Sequence, residues 1–232
     1  MAGPQPVVDH SAIAETVNAG RWFTMHTAFR RGALAAPDAL APLLADLGAI
    51  DGLRTRGWYD VAGYRADADA LAWWWAPSPE PLQAAYRSVL DAAPGAIEPV
   101  FSAVSTHRVA EFNRGHVPAF LAGDAAKAYA CVYPFVRGRE WYLLPEAERR
   151  DLLREHGAAA KDYGDVLANT TSAFGLGDVE WMLAFEADDV VRFVDLIRDL
   201  RATEARRHVL LETPFFTGPR VDPAPLLARL VA

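Results

Sequence analysis

The chain has 232 residues, of which 52% are hydrophobic and 23% charged, a composition typical of a globular protein. Its formal net charge is −7, which disfavours nucleic acid as a partner because a phosphate backbone attracts a basic surface. The single cysteine, Cys131, excludes an intrachain disulfide, and we expect it to be a small buried hydrophobe. Since we find neither a signal peptide nor an apolar run of about 20 residues, we expect a cytoplasmic protein without a membrane span.

The first half of the chain predicts the element order β-α-β-β-α-β. Residues 1–20 are small and polar and indicate a loosely ordered arm. A strand is predicted over 21–30, and a helix over 38–50 in which Asp38 is a candidate N-cap. The remaining elements of this half are strands at 53–64 and 69–76, a helix at 79–93 and a strand at 97–108.

After a connector at 109–127, the same element order repeats. Strands are predicted at 128–136, 166–174, 179–185 and 205–216, with helices at 145–161 and 188–201. We therefore predict an α+β fold, a tandem duplication of ferredoxin-like β-α-β-β-α-β units of the dimeric α+β barrel type. The predicted divisions are the arm 1–20, a half with its connector at 21–127, a second half at 128–220, and a tail at 221–232 with the pattern of a short amphipathic helix. The bare sheet faces are expected to pack on each other, which leaves a ligand pocket between sheet and helices or between sheets.

The motifs of several enzyme classes are missing. No H-x-x-x-H pair, glycine-rich phosphate loop or nucleophile elbow is present, so a hydrolase has little support. Among six histidines, His156 stands out because Leu152 and Ala160, four residues to either side, place it on the apolar stripe of a predicted helix. That spacing favours a core histidine bonded to a backbone carbonyl, but a lone inward imidazole is also what a five-coordinate haem requires.

Tyr133 and Arg137 are candidates at the end of the strand predicted over 128–136. Tyr133 lies in an apolar run that meets Pro134, where a core or interface tyrosine is the plainer interpretation. Arg137 shares its face only if the strand stays regular past Pro134. A guanidinium at a pocket mouth would suit carboxylates through its planar fork, whereas a solvated surface charge is the open alternative.

Three other features carry weaker signals. His116 lies in the connector, where a histidine is usually exposed, but it would serve as a general base if the loop folds over a pocket. Trp73 and Trp75 share a strand face, which favours packing in a core or a subunit interface. The basic run at 201–207 is typical of a solvated face, although it could also touch ligand carboxylates.

Several longer motifs, spread over about 58–220, resemble those of coprohaem decarboxylases in the chlorite-dismutase superfamily. They are YPFVR (133–137), EWYLLP (140–145), the arginine pair 149–150, EHG (155–157), DVEW (178–181), DLRATEARR (199–207) and PFFTG (214–218). The segment NRGHVP (113–118) is similar to the actinobacterial branch, whose distal histidine lies in this motif.

The resemblance implies a homopentamer of duplicated ferredoxin-like subunits. It also implies the reaction: ferric Fe-coproporphyrin III (coprohaem) is converted to haem b by two hydrogen peroxide molecules, with release of two CO2 as two propionates become vinyls. Coprohaem would be both substrate and redox centre, because the porphyrin carries the hard chemistry and the protein orients it. A ferrochelatase of the same pathway is a partner suggested by family analogy.

Site residues are carried over by motif position. His156 matches the proximal iron ligand, Tyr133 the tyrosine that becomes a radical, and His116 the distal base. Arg137 lies where the family has a basic residue near the propionates. Trp141 and Trp181 match aromatic positions close to the porphyrin.

One departure separates this chain from true chlorite dismutases, which use a distal arginine after the proximal-ligand helix. No Arg or Lys occurs between Tyr163 and Trp181, and Asn169 and Thr170 stand where other decarboxylases have a glutamine. Chlorite decomposition is therefore disfavoured as the main activity. The alternatives that remain open are a porphyrin-binding protein without turnover, a peroxidase, and a structural oligomer without ligand.

Overall fold

The computed structural model describes residues 10–35, 40 and 42–232. The helices and strands of these residues follow one another in the order that the duplication predicts. The strands are β1 (Phe23–Arg31), β2 (Arg54–Asp60), β3 (Ala70–Ala76), β4 (Ile97–Thr106), β5 (Tyr129–Arg137), β6 (Leu167–Ser172), β7 (Trp181–Ala187), β8 (Val209–Leu211) and β9 (Phe216–Val221). The α-helices are α1 (His10–Ala19), α2 (Leu43–Ala49), α3 (Pro79–Ala92), α4 (Ala119–Ala122), α5 (Glu146–Ala159), α6 (Val191–Arg201) and α7 (Pro223–Val231), and 3₁₀ helices span Trp141–Leu143 and Glu204–His208.

Each half forms one antiparallel sheet with ferredoxin-like topology. The N-terminal sheet has the order β4-β1-β3-β2, and the C-terminal sheet has the equivalent order β9-β5-β7-β6. The two sheets join at both edges, where β2 pairs with β9 and Thr106 of β4 pairs with Ser172 of β6. Gly218 is required at the first seam, because a β-carbon there would collide with the Asp60 carbonyl oxygen. The result is a closed barrel, which leaves β8 as a short addition on β5.

Apolar side chains form three cores. The barrel core lies between the two sheets and takes residues from both of them, including Tyr59, Trp73, Val132 and Met182. The outer N-terminal core lies between the first sheet and its helices; its members include Met25, Phe29, Leu43, Trp74, Leu82 and Leu226. The outer C-terminal core covers the second sheet; its members are Cys131, Tyr133, Val166, Phe185, Ala187, Phe193 and Leu196.

The structure confirms the predicted packing of strand faces. Trp73 and Trp75 both point toward the barrel core, while Trp74 between them faces the outer N-terminal core. Cys131 is buried, as expected, and burial raises the pKa of its thiol to about 11. The C-terminal tail forms α7, whose N-cap Asp222 accepts a hydrogen bond from the Ala224 amide and whose leucines complete the outer N-terminal core.

Some sequence predictions are wrong. The arm predicted over 1–20 contains α1, because Ala14 and Val17, three residues apart, bury one helical face. The final strand predicted over 205–216 is divided: a 3₁₀ helix ends at His208, β8 covers three residues, and β9 begins at Phe216. The helix predicted over 38–50 begins later than expected, at Leu43, and its candidate N-cap Asp38 lies outside the described residues. In the described ranges, no helix has the length and apolarity needed to cross a membrane.

Candidate functional site

Strand β5 places three candidate side chains in a row on its outer face. Tyr133, Phe135 and Arg137 alternate along a strand that continues through Pro134, where it pairs with Met182 of β7. Pairing with β7 stays in register through Phe135, whereas pairing with β8 shifts register between Val136 and Arg137. The condition set by the sequence, a regular strand past Pro134, is therefore met only as far as Val136. Arg137 packs its guanidinium 4.8 Å from the centre of the Phe135 ring, which fixes it on the same face.

Tyr133 combines a buried ring with an unbonded hydroxyl. Its ring centre lies 4.5 Å from that of Phe215 and 6.0 Å from that of Phe185. Burial raises the pKa of the phenol above its ordinary value, so the group is neutral. The hydroxyl makes no hydrogen bond to any residue in the described ranges, yet it remains accessible. A phenol in this state is held by its ring and leaves its O–H free for a ligand.

Helix α5 carries His156 but does not pack tightly on the sheet. It buries none of its side chains fully, and its main contacts are with α6 and the 3₁₀ helix at Glu204–His208. Leu152 and Leu153 on its apolar stripe stay half-buried and belong to none of the three cores. The predicted inward stripe therefore exists, but only Ala160 of it packs against the outer C-terminal core.

His156 carries a neutral imidazole on this stripe. Burial lowers the pKa of its ring to about 4, and the nearby Arg137 guanidinium adds to the effect. Its Nδ1 atom is buried and has no hydrogen-bond partner among the described residues. The alternative of a core histidine satisfied by a carbonyl is therefore not what the structure has. A neutral imidazole without partners is suited to binding a metal ion.

Arg137 is a largely buried cation without a carboxylate partner. Its guanidinium lies 4.0 Å from the centre of the Trp141 ring and makes one hydrogen bond, of 3.4 Å, to the Ala205 carbonyl. Burial lowers its pKa to about 10. No ion pair joins it to an acidic side chain in the part of the chain that the structure describes. A desolvated guanidinium with free donors is a receptor for an anion such as a carboxylate.

Both candidate tryptophans follow Arg137 in the chain, at positions 141 and 181. Trp141 is almost fully buried in the first 3₁₀ helix. Trp181 begins β7 opposite Phe135, and its indole N–H donates to the Tyr142 hydroxyl at 3.2 Å. These aromatic rings give the region a flat apolar lining with polar edges.

Glu180 is a residue that the sequence analysis missed. Its carboxylate accepts the Arg137 backbone N–H at 2.8 Å and the Tyr142 hydroxyl at 2.7 Å. It therefore ties the end of β5 to the residue that holds Trp181. The signal in the sequence was its place beside Trp181 in the DVEW motif, but nothing in that motif identifies what the carboxylate binds.

His116 is separated from the other candidates. It is exposed in the loop before α4 and lines a cavity of about 260 Å³ together with Val166 and Ala168. No hydrogen bond or ring contact joins it to Tyr133 or His156 within the described residues. Its link to the other candidates is indirect, because Val166 and Ala168 also belong to the outer C-terminal core or pack against it.

In the segment between Tyr163 and Trp181, which contains no Arg or Lys, Asn169 and Thr170 point to opposite faces of the sheet. Asn169 points into the barrel, where it accepts the Phe120 amide and donates to the Ala184 carbonyl. Thr170, the next residue, is exposed on the outer face. Of the two residues at this position, only Thr170 faces the side of the sheet that carries Tyr133.

We use the name C-terminal groove for the region bounded by Tyr133, Arg137, Trp141 and His156. It joins a neutral imidazole, an unpaired cation and an unbonded phenol at the end of one strand. An imidazole is a common ligand of haem iron, and a guanidinium pairs well with carboxylates.

The closed barrel of two ferredoxin-like halves defines this protein as a duplicated α+β barrel. The chain belongs to the chlorite dismutase family, whose model matches residues 22–221.

Relatives and solved structures agree with this assignment. A coproheme decarboxylase of Mycolicibacterium smegmatis is 59% identical over 181 residues, which cover 77% of this chain and 78% of the relative. A coproheme decarboxylase of Thermus thermophilus is 34% identical over 107 residues, covering 44% and 43% of the two chains. A doubly substituted chlorite dismutase from Candidatus Nitrospira defluvii matches with a TM-score of 0.78 at 19% identity, over 91% of this chain and 96% of that one. Its imidazole complex matches with a TM-score of 0.77 at 18% identity, over 97% and 100%. At these identities the solved structures show the fold alone.

Proposed function

We propose that this chain is a hydrogen-peroxide-dependent coprohaem decarboxylase that converts Fe-coproporphyrin III to haem b. The observation that carries the proposal is the C-terminal groove. Among the described residues, the His156 imidazole and the Tyr133 phenol have no hydrogen-bond partner, and the Arg137 guanidinium has no carboxylate partner. The relative at 59% identity supports the choice of substrate. The choice of residues 128–220 as the porphyrin-binding part is supported by the position of Tyr133, Arg137 and His156, which all lie in this half.

The residues of the groove fit the substrate. His156, neutral and unbonded at Nδ1, would ligate the iron from one side of the porphyrin. Arg137 would pair with a propionate, which supplies the anion that this buried cation lacks. Trp141 and Trp181 would contact the macrocycle and its propionate edge.

Tyr133 would act as the relay between the iron and the propionates. The bound iron, oxidised by peroxide, supplies the oxidising equivalents. Tyr133 would give up its hydroxyl hydrogen atom and then take one from the propionate β-carbon. Loss of one further electron and of CO2 leaves a vinyl group, so each propionic acid and one peroxide yield one vinyl, one CO2 and two waters. The free O–H of Tyr133 supports this role, because no hydrogen bond has to break first.

His116 would be the distal base that takes a proton from peroxide. Its support is its position beside a cavity that borders the outer C-terminal core. Thr170 is the outward side chain where chlorite dismutases have a basic residue, and a hydroxyl cannot replace a guanidinium there. Chlorite decomposition is therefore not proposed.

We further propose a cytoplasmic homopentamer that contacts a ferrochelatase transiently. The support for the oligomer is a set of exposed apolar side chains around Tyr142, which touches Phe174 at 5.6 Å between ring centres. Leu143 is 85% exposed and lies next to Tyr142 in the chain. Sedimentation should give about five times the chain mass of 25.3 kDa. A monomer mass would contradict the pentamer.

The function is tested by titrating ferric coprohaem into the protein and adding peroxide stepwise. Two products that have lost one and then two carboxyl groups are expected. Tight binding followed only by bleaching would instead favour a porphyrin-binding protein without turnover.

A further inference from the structure

Glu180 immediately precedes β7 and is half-buried. Its backbone is held on both sides, because its N–H donates to the Phe135 carbonyl at 3.3 Å and its carbonyl accepts the Ala173 N–H at 2.7 Å. The carboxylate is thus attached at a fixed point of the sheet, next to the end of β5 that carries Arg137.

The backbone N–H of Arg137 lies where the regular sheet ends. Pairing of β5 with β7 stops at Phe135, opposite Trp181, and pairing with β8 shifts register between Val136 and Arg137. At this irregular point the Arg137 N–H donates to the Glu180 carboxylate at 2.8 Å. A backbone N–H that is withdrawn from water requires such an acceptor. Glu180 therefore fixes the backbone of the residue whose side chain carries the buried cation.

One oxygen of Glu180 makes both of its side-chain hydrogen bonds. The Oε2 atom accepts the Arg137 N–H and also the Tyr142 hydroxyl at 2.7 Å, and the Tyr142 oxygen accepts the Trp181 indole N–H at 3.2 Å. Burial, together with the bond to Glu180, raises the pKa of Tyr142 above its ordinary value, so its hydroxyl stays a donor. A single oxygen thus connects the residue proposed to bind a propionate with the tryptophan proposed to contact the porphyrin.

The Glu180 carboxylate lies near the Arg137 cation without occupying its donors. No ion pair joins the two side chains in the part of the chain that the structure describes, and the guanidinium instead lies 4.0 Å from the centre of the Trp141 ring. The negative charge of Glu180 opposes the effect of burial, which lowers the pKa of Arg137 to about 10. The planar fork of N–H groups on Arg137 therefore stays charged and available to a carboxylate of a ligand.

We propose that Glu180 is a positioning residue, which directs Arg137 toward a propionate of coprohaem by holding the Arg137 backbone amide. The proposal rests on the proposed function for the identity of the ligand. The hydrogen bonds of Oε2, and not the charge of Glu180, carry the effect, because the charge by itself repels a propionate.

Two substitutions separate the hydrogen bonds of Glu180 from its charge. Glu180→Gln removes the charge but keeps a carbonyl oxygen whose two lone pairs can accept both bonds. Glu180→Asp keeps the charge but withdraws the oxygens by one methylene group. Titration with ferric coprohaem should give a Kd raised about fivefold in Glu180→Asp and within about twofold of the wild-type value in Glu180→Gln. An equal loss of affinity in both variants, or no loss in either, would overturn the proposal.

A double-mutant cycle shows whether Glu180 acts through Arg137. In a protein that already carries Arg137→Ala, Glu180→Asp should change the Kd for coprohaem by less than about twofold, because the cation that it positions is gone. Full additivity of the two effects would contradict the proposal. Denaturant unfolding of the four proteins controls for damage to the fold, which would not depend on the presence of Arg137.

The matched control is Asp199→Ala, in the same half of the chain. Asp199 also accepts a tyrosine hydroxyl, that of Tyr163 at 2.5 Å, but it does not hold the end of β5. This variant should leave the Kd for coprohaem unchanged, and a loss equal to that of Glu180→Asp would overturn the proposal. The expected pattern of Kd values in a protein that makes no haem b with peroxide would support the role of Glu180 while contradicting the proposed decarboxylation. Haem b formation with fully additive Kd changes would do the reverse.

Discussion

The first strands of the two halves, β1 and β5, are both nine residues long, but their outer faces have opposite characters. The fifth residue is Thr27 in β1, where its hydroxyl is hydrogen-bonded to Ser102 at 2.9 Å, and Tyr133 in β5, where the hydroxyl has no partner in the described structure. The ninth residue is an arginine in both. Arg31 is exposed, whereas Arg137 is largely buried without a counter-charge.

The helices of the two halves differ in how many of their side chains they bury. In the N-terminal half, α3 buries Leu82, Ala85 and Val89 on the sheet, and α2 buries Leu43 and Leu47. In the C-terminal half, α6 buries two residues and α5 buries none. The aromatic residues of the first half fill its outer face, and the edge contact of Trp58 with Trp74 at 5.5 Å is an example.

This difference indicates that the two halves of the duplicated fold have different roles. Burial of apolar area stabilises the outer face of the first half, at about 25 cal/mol per Å². On the outer side of the second half, the Tyr133 hydroxyl and the His156 Nδ1 atom have no hydrogen-bond partner among the described residues. Such groups reduce stability unless a ligand satisfies them. We therefore expect substitutions in the C-terminal groove to change binding and turnover, and equivalent substitutions elsewhere to change stability.

The strongest contrast is expected between Tyr133→Phe and Thr27→Val. Tyr133→Phe should abolish haem b formation, leave coprohaem binding intact and change the free energy of unfolding by less than about 0.5 kcal/mol, because no hydrogen bond is lost. Thr27→Val should cost about 1 kcal/mol of stability and leave turnover unchanged. Product chromatography and denaturant unfolding measure both quantities. Turnover by Tyr133→Phe would remove the relay role from this residue.

Substitution of His156 should have the next largest effect. His156→Ala removes the imidazole proposed to bind the iron, so decarboxylation should fall by about 100-fold or more, equivalent to about 2.7 kcal/mol in the activation free energy. The spectrum of bound ferric coprohaem should change at the same time. Added imidazole should restore the spectrum, which controls for misfolding. An unaltered spectrum in His156→Ala would show that another group binds the iron.

Substitutions of Arg56 and Arg137, two partly buried arginines, should separate an effect on stability from an effect on coprohaem binding. Arg56 pairs with the fully buried Glu186 at 2.8 Å, so Arg56→Ala leaves a buried charge alone and should cost about 3–5 kcal/mol of stability. Arg137→Ala removes a cation that has no such partner. It should weaken coprohaem binding about tenfold, or about 1.4 kcal/mol, with little loss of stability. Calorimetry measures coprohaem binding, and chemical unfolding measures stability. A large loss of stability in Arg137→Ala with unchanged binding, or unchanged stability in Arg56→Ala, would contradict the account.

An effect on acid stability is expected from His26, a fully buried histidine of β1 whose two ring nitrogens lack partners in the described structure. Burial lowers its pKa to about 3, whereas the unfolded imidazole takes up a proton near pH 6.5. Stability present at neutral pH should therefore fall as the pH drops through 6.5 toward 3, by at most about 1.4 kcal/mol per pH unit. His26→Leu should flatten this slope in denaturant titrations at several pH values. An equal slope in the variant would assign the acid sensitivity to other groups.

The sequence predicts the duplicated fold well because the pattern of strands and helices is regular in both halves. It fails where local pattern and tertiary packing disagree. The run at 205–216 is apolar enough for one strand, but Pro214 within it has no N–H to donate to a sheet, and the chain divides there. Helix α1 escaped prediction because its buried face consists of small residues.

The motifs identify the candidate residues, but they do not reveal which face each side chain lies on, how deeply it is buried or what it is hydrogen-bonded to. Spacing places His156 on an inward stripe, yet only the structure shows that α5 buries none of its side chains fully and that the His156 Nδ1 atom has no partner among the described residues. Strand alternation could have separated Asn169 from Thr170, since neighbouring side chains point to opposite faces. The carboxylate of Glu180 acts across a long separation in the chain, which no local pattern reveals.

The most direct test of the central claim is a comparison of the wild-type protein with Tyr133→Phe, each loaded with ferric coprohaem and given peroxide in steps. The account predicts that both bind the porphyrin with the same affinity and spectrum. Only the wild-type protein should then give the products that have lost one and two carboxyl groups. Haem b from both proteins, or from neither, would contradict the claim that the open groove of the second half carries out this reaction through Tyr133.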